Sequence, residues 1–163
     1  MNDLISIVLP VHNEVLNLKH LIQEWDAELK KIAKIQYEFV IVEDGSSDGT
    51  KELIIELEKN FTIINLSSEK KRGYSRAVLD GIKASNGTYI LCTDSDNQIK
   101  VYSLIENINN LPKEEVFLFG ARTPRNDPIH RKIYSKMFKF LHDLLFNSNL
   151  SDPSCPFVLG KKE

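Results

Sequence analysis

An α/β fold, with a mostly parallel central sheet flanked by helices on both faces, is what this sequence predicts. Short β-branched runs alternate with segments of helical periodicity along the chain. Such alternation makes parallel strands joined by crossover helices, which cover the sheet on both sides. Unusual polar residues also gather just after the strand runs, where open sheets of this kind hold their ligands.

Ile5-Ser6-Ile7-Val8-Leu9 is a β-branched run closed by Pro10 and reads as a buried strand. From Leu18 to Ile32, apolar residues recur at helical spacing at Leu18, Leu21, Ile22, Trp25, Leu29 and Ile32. Tyr37–Val42 is a second strand, and Ser47 or Asp48 is placed to cap a helix ending near Lys59. Ile63–Leu66 is a third strand. Ser75–Ser85 is a helix stopped by Asn86-Gly87. Thr88–Cys92 is a fourth strand leading to Asp94, and Val101–Leu111 is a helix closed by Pro112. Val116–Phe119 is a fifth strand, and Ile133–Phe146 is an apolar helix. No settled element is expected at the end, Gly160-Lys161-Lys162-Glu163. Residues 1–163 are expected to form one domain, the N-terminal part of a longer protein.

Composition narrows the function. The 163 residues are 42% hydrophobic and 27% charged, ordinary for a globular domain. A net charge of −2 argues against wholesale electrostatic binding of nucleic acid, which needs a cationic excess. Cys92 and Cys155 fit no zinc spacing, and Cys92, in an apolar run, reads as a buried free thiol in a reducing compartment. Met1-Asn2-Asp3-Leu4 opens no signal peptide, and no window approaches the roughly 20 apolar residues that span a bilayer. A cytoplasmic location is therefore expected.

The post-strand clusters carry the chemistry. Asp94-Ser95-Asp96 puts two carboxylates one residue apart beyond a core strand. They repel unless a cation bridges them, and hard oxygens suit Mn²⁺ or Mg²⁺ sharing its shell with phosphates. Asp44 is placed to accept hydrogen bonds from a base or ribose, with Gly45 allowing close backbone approach to that ligand. Asp48 and Gly49 read as structural. Lys70-Lys71-Arg72-Gly73 sets cations before a helix N-terminus, a place suited to an anion. Arg122 and Arg131 offer planar forks for phosphate oxygens. No Gly-x-x-x-x-Gly-Lys-Ser/Thr loop, no Gly-x-Gly-x-x-Gly and no Gly-x-Ser-x-Gly occurs, and His12, His20, His130 and His142 show no ligand spacing.

These residues together resemble family-2 glycosyltransferases of the GT-A fold. The resemblance runs from Ile5-Ser6-Ile7-Val8-Leu9-Pro10-Val11-His12-Asn13-Glu14, through Val42–Thr50 and Arg72-Gly73 with Ala77 and Gly81, to Asp94-Ser95-Asp96. Further detail is similar to the dolichyl- or polyprenyl-phosphate mannosyltransferase branch: Gln98 two residues after Asp96, Phe119-Gly120-Ala121-Arg122, Arg131 with Ser135, and Asp152-Pro153-Ser154-Cys155-Pro156-Phe157. His12 departs from the usual tyrosine or phenylalanine, and Pro156 and Val158 stand in place of glycine and arginine.

The resemblance implies a donor site built from Pro10, Asn13, Glu14, Asp44, Lys71, Arg72, Gly73, Asp94 and Gln98. It implies a metal held by Asp94, Asp96 and Gln98, and reacting groups served by Asp96, Arg122, Arg131 and Asp152. The expected activity is metal-dependent, inverting transfer from a UDP- or GDP-sugar to a polyprenyl or dolichyl phosphate. Membrane association is expected through the acceptor or a further C-terminal region, at the cytoplasmic face. Other readings are transfer to a saccharide hydroxyl in cell-surface polysaccharide synthesis, a nucleotidyltransferase, or a non-catalytic nucleotide-sugar-binding domain. The nucleotidyltransferase would need a Gly-rich loop after the first strand, and Pro10–Glu14 contains no glycine.

Overall fold

The computed structural model describes residues 3–32, 35–108, 111, 117–122 and 128–162. Pro112 and Val116 lie outside the described residues, as does the side chain of Arg131. The elements follow as β1 (Leu4–Val11), α1 (Val15–Leu29), β2 (Gln36–Asp44), α2 (Thr50–Leu57), β3 (Ile63–Ser68), α3 (Tyr74–Ala84), β4 (Tyr89–Cys92), α4 (Tyr102–Ile108), β5 (Phe117–Phe119), α5 (Ile129–Phe146) and β6 (Val158–Lys161). They build one six-stranded sheet in the order β3-β2-β1-β4-β6-β5. β1 pairs in parallel with β2 and β4, and β2 with β3. β6 is antiparallel to both β4 and β5, so β5 runs in the direction of β1 to β4.

Period-2 alternation sorts the strand side chains onto two faces. Ile5, Ile7 and Leu9 of β1, Phe39 and Ile41 of β2 and Leu91 of β4 point to one side. There they bury Leu18, Leu21, Ile22 and Trp25 of α1, Ile54 and Leu57 of α2 and Leu104 of α4. Val8, Val40, Val42 and Ile90 point to the other side and pack against Ala77 of α3. Helices thus cover both faces, as the alternation of elements predicts.

The helix starts differ from the sequence reading. α1 begins at Val15 rather than Leu18 because distant groups satisfy its first turn. Val15 N–H donates to Asp48 Oδ2 at 3.2 Å, and Glu14 N–H donates to Thr50 Oγ1 at 3.0 Å. Asp48 also takes the Thr50 amide on Oδ1 at 3.1 Å, while Gly49 holds a left-handed φ of 94° before α2. Ser47 caps nothing; its N–H donates to Asn13 Oδ1 at 2.9 Å.

The larger difference is β6, since the chain end was expected to form no element. Val158-Leu159-Gly160-Lys161 carries a weak strand signal, with a glycine inside it. Its partners make it a strand: Leu159 pairs with Leu91 on one side and Leu118 on the other, and is fully buried. Gly160 stands opposite Phe117, whose ring lies where a Cβ would be.

The carboxyl ends of β1, β2, β3, β4 and β5 lie along one edge of the sheet. β6 runs the other way, so the residues before it, around Asp152, come to that same edge.

Candidate functional site

A cleft of about 370 Å³ opens at this edge, lined by Pro10, His12, Glu14, Asp44, Lys71, Tyr74, Asp94, Ser95 and Asp96 among others. The clusters from four successive strand ends therefore meet, as their spacing predicts. β1 and β4 lie side by side in the sheet, and Ser95 Oγ donates to the Pro10 carbonyl at 3.0 Å, tying their two loops together.

Asp94 and Asp96 are both half-buried, and Asp94 is the one whose titration is displaced. Burial pushes its pKa above the ordinary carboxylate range, and the neighbouring negative charges of Asp96 and Glu14 add to this; a hydrogen bond from the Tyr74 hydroxyl and the charge of Arg122 oppose it. Asp96 accepts the Gln98 amide on Oδ1 at 3.0 Å, which closes the loop into a tight turn. Asn97, between them, takes a left-handed φ of 59°, and its Nδ2 donates to Glu24 Oε2 of α1 at 3.2 Å. Lys100 reaches the same Glu24 oxygen at 3.5 Å. The loop is thus tethered to α1 from behind.

This donor set fits a divalent cation. Two hard carboxylates share one cleft, and their mutual repulsion is relieved by positive charge between them. Among the described residues no cluster of three or more His, Cys, Asp or Glu forms a metal cage. Asp94 and Asp96 would thus leave coordination positions for phosphate oxygens and water, the arrangement usual for Mg²⁺-type sites. Gln98 is exposed and lines an adjoining cleft with Lys100, Gly120, Arg122, Cys155 and Phe157, apart from the two aspartates.

Asp44 lines the main cleft, and its carboxylate is already engaged. Oδ1 accepts the Arg72 amide and Oδ2 the Gly73 amide, each at 2.8 Å. Burial raises its pKa, but these two amides and the Arg72 charge outweigh that and hold it below the ordinary range. Gly45 was expected to allow approach of a ligand; what approaches it is the chain itself. A Cβ there would stand 2.6 Å from the Lys71 nitrogen, and φ is +72°. Asp44 and Gly45 together clamp the Lys70–Gly73 loop onto the end of β2. This leaves Lys71 facing the cleft, whereas the Arg72 guanidinium turns to Asp80 of α3 at 2.8 Å.

Asn13 likewise binds loop to loop: its N–H donates to Ser46 Oγ and its Oδ1 accepts from Ser47, both at 2.9 Å. Glu14 lines the cleft at the start of α1. His12 was assigned no role by the sequence. Its Nδ1 lies 2.9 Å from the Asp44 carbonyl, which can only accept, so Nδ1 carries the proton. Tyr74 was missed because the helix was expected to start one residue later, at Ser75.

Arg122 and Asp152, predicted separately, form a two-pronged ion pair. Nε donates to Oδ2 at 2.9 Å and an Nη to Oδ1 at 3.1 Å, and that Nη also reaches Ser154 Oγ at 2.6 Å. Burial raises the Asp152 pKa, but the Arg122 fork and the Ser154 hydroxyl outweigh it and hold the carboxyl well below the ordinary range.

Comparison with known proteins agrees with the family resemblance and with the fold. A family model described as "Glycosyl transferase family 2" matches residues 6–163. A dolichyl-phosphate β-glucosyltransferase of Dictyostelium discoideum is 28% identical, over 99% of this chain and 55% of its own length. A dolichol-phosphate mannosyltransferase of Pyrococcus furiosus is 30% identical, over 81% of this chain and 38% of its own. The chain thus spans about half or less of these relatives. Glucosyl-3-phosphoglycerate synthase from Mycobacterium tuberculosis, solved with Mn²⁺, UDP and its glucosylated product, superposes with a TM-score of 0.66, covering 98% of this chain and 57% of that one at 18% identity.

Proposed function

Because the chain belongs to glycosyl transferase family 2, we propose that its cleft binds the diphosphate of a UDP- or GDP-sugar through Mn²⁺ or Mg²⁺ at Asp94 and Asp96. The sugar is transferred, with inversion, to a polyprenyl or dolichyl phosphate. The observation that carries this reading is the meeting of Asp94, Asp96, Asp44 and Lys71 in one cleft at the carboxyl edge of the sheet. The names of the two relatives support the acceptor class.

A divalent ion bound there supplies charge compensation for the departing nucleoside diphosphate. The chain's own groups do the rest. Lys71 adds a cation to the cleft wall, and Tyr74 sets the N-terminus of α3 at the same wall. Asp152 holds Arg122 beside that space, and Gln98 and Arg122 flank the second cleft, where an acceptor phosphate would lie. Asp152 is a poor general base, because its pairing with Arg122 keeps it ionised and weakly basic. A sugar hydroxyl as acceptor would need a base. A phosphate, with a second pKa of about 6, is already anionic and needs none, so the geometry favours the lipid phosphate. A place at the cytoplasmic face of a membrane belongs to this reading.

Titration calorimetry of UDP and GDP with MnCl₂ or with EDTA tests the site. Binding of one nucleotide that requires the metal is expected, and Asp96→Ala should cut the metal-dependent affinity at least tenfold. Metal-independent binding, or none of either nucleotide, would overturn the metal assignment. Transfer to polyprenyl phosphate, with the product anomer read by NMR, tests the acceptor and the inversion.

A further inference from the structure

Backbone amides hold two of the cleft's aspartates, and a side chain holds the other. Asp96 takes the Gln98 amide, and Asp44 takes those of Arg72 and Gly73. Asp94 is hydrogen-bonded to the Tyr74 hydroxyl. The fold brings these two residues together. Cys92 of β4 packs on the face of the sheet that α3 covers, in one cluster with Ala77. Thr93 N–H still pairs with the Val8 carbonyl at 3.1 Å, so the ladder runs one residue past β4. Side chains two apart on such a ladder share a face, which turns Asp94 toward α3. Tyr74 is the first residue of α3, and both residues line the main cleft. The backbone before Tyr74 is pinned: the Gly73 amide is bound to Asp44 at 2.8 Å, and the Gly73 carbonyl accepts from Arg76 and Ala77, each at 3.1 Å.

We infer that Tyr74 is a positioning residue of the metal site: its hydroxyl fixes the Asp94 carboxylate, so that a divalent cation meets it already oriented. The inference rests on the metal reading of the cleft proposed above. An ionised carboxylate offers about four lone-pair sites, so one donated O–H leaves room for a cation. Glu14, Asp94 and Asp96 all bring negative charge to this wall. A lysine at position 74 would relieve their repulsion but would also repel the metal. A phenol stays protonated well above neutral pH and relieves it without adding a charge. The Arg122 charge also acts on Asp94, yet its guanidinium is spent on Asp152. Donors that orient a metal ligand in this way are typically worth about 10- to 100-fold in metal affinity. Through Gly73 and Asp44, the same residue also ties the Lys71 loop at the end of β2 to Asp94 after β4, across the end of β1.

Calorimetric titration of the full chain with MnCl₂, without nucleotide, tests it on two variants. Tyr74→Phe keeps the ring and loses the hydroxyl, whereas Tyr74→Leu loses both. Tyr74 is 53% exposed, so neither change opens the core, and melting temperatures near wild type are expected. Mn²⁺ affinity should fall about tenfold or more, and by the same factor in both variants. A residue that only packed would spare Tyr74→Phe and weaken Tyr74→Leu, and that pattern would overturn the inference. Tb³⁺, a hard oxygen-seeking ion, gives an optical readout. Its tyrosine-sensitised emission should drop sharply in Tyr74→Phe even at saturating Tb³⁺; undiminished emission would set the ion away from Tyr74 and overturn the inference as well. Mn²⁺ binding that Asp94→Asn abolishes but Tyr74→Phe leaves unchanged would sink the role of Tyr74 alone. A wild-type chain that binds neither ion would sink the reading of the cleft, and the inference with it.

Discussion

Asn97 holds the Asp94–Gln98 loop by two means at once: a left-handed backbone turn and a side-chain bond to Glu24. Asn97→Gly keeps the turn and loses the tether, whereas Asn97→Ala loses the tether and strains the turn by about 1 kcal/mol. Mn²⁺ affinity, read by calorimetry without substrate, should therefore fall in the order wild type, Gly, Ala. Equal affinity in all three would remove Asn97 from the site. Asp152 gives a pH signature. Its folded pKa is depressed, so its contribution to stability is complete above the unfolded carboxyl value, about 4, and is lost as pH falls below it. Asp152→Asn should thus lower the melting temperature at pH 7 and flatten its fall in acid. The loss should be about 1–2 kcal/mol, kept small because Arg122 is partly in water. At this scale the sequence singled out residues that the structure brings to one edge, but not what they contact there. Asp44, Asn13 and Arg72 were read as ligand groups, yet all three spend hydrogen bonds on joining loops. That follows from contacts between distant strand ends, such as Asp44 with Gly73, which no local pattern encodes.

Strands and helices with strong periodicity were legible, because β1, β2 and α1 each bury a continuous apolar face. β6 was not, because its strand character comes from two neighbours rather than from its own four residues. Leu159→Ala should cost about 2–5 kcal/mol, as for other fully buried leucines, and denaturant unfolding will read it. The variant should also weaken the second cleft, since Asp152 and Phe157 are placed by the strand that follows them. The Lys70–Gly73 loop depends on Gly45 in the same way. Gly45→Ala combines a positive φ with a collision against backbone at Lys71, so a loss of about 2–4 kcal/mol is expected. Metal-dependent nucleotide binding should weaken as Lys71 is displaced; a variant with unchanged stability would show that the loop yields freely.

The molecule as a whole divides at β4. On one side β1, β2 and β3 pack between helices on both faces; on the other, Phe117 and Phe119 of β5 remain exposed, as does the outer side of α5. Fold class and the converging edge were readable from the alternation of elements, since every parallel crossover returns its loop to one side. The orientation of α5 was not, because helical periodicity reports that a face is apolar and not which way it turns.

The placement of β6 also orders the assembly of the chain in time. β5 has no direct partner in the β1–β4 block and joins the sheet only after β6, some seventy residues beyond β4, has closed between them. Contacts so distant along the chain are slow to form, and the units that form last are commonly the first to open. Backbone amides of Leu118 and Leu159 should accordingly exchange with deuterium faster than those of Ile7 and Leu9. The loops around Asp94 would then be shaped before the Arg122–Asp152 pair closes beside them, leaving a nascent cleft able to meet a nucleotide while its acceptor side is still unformed.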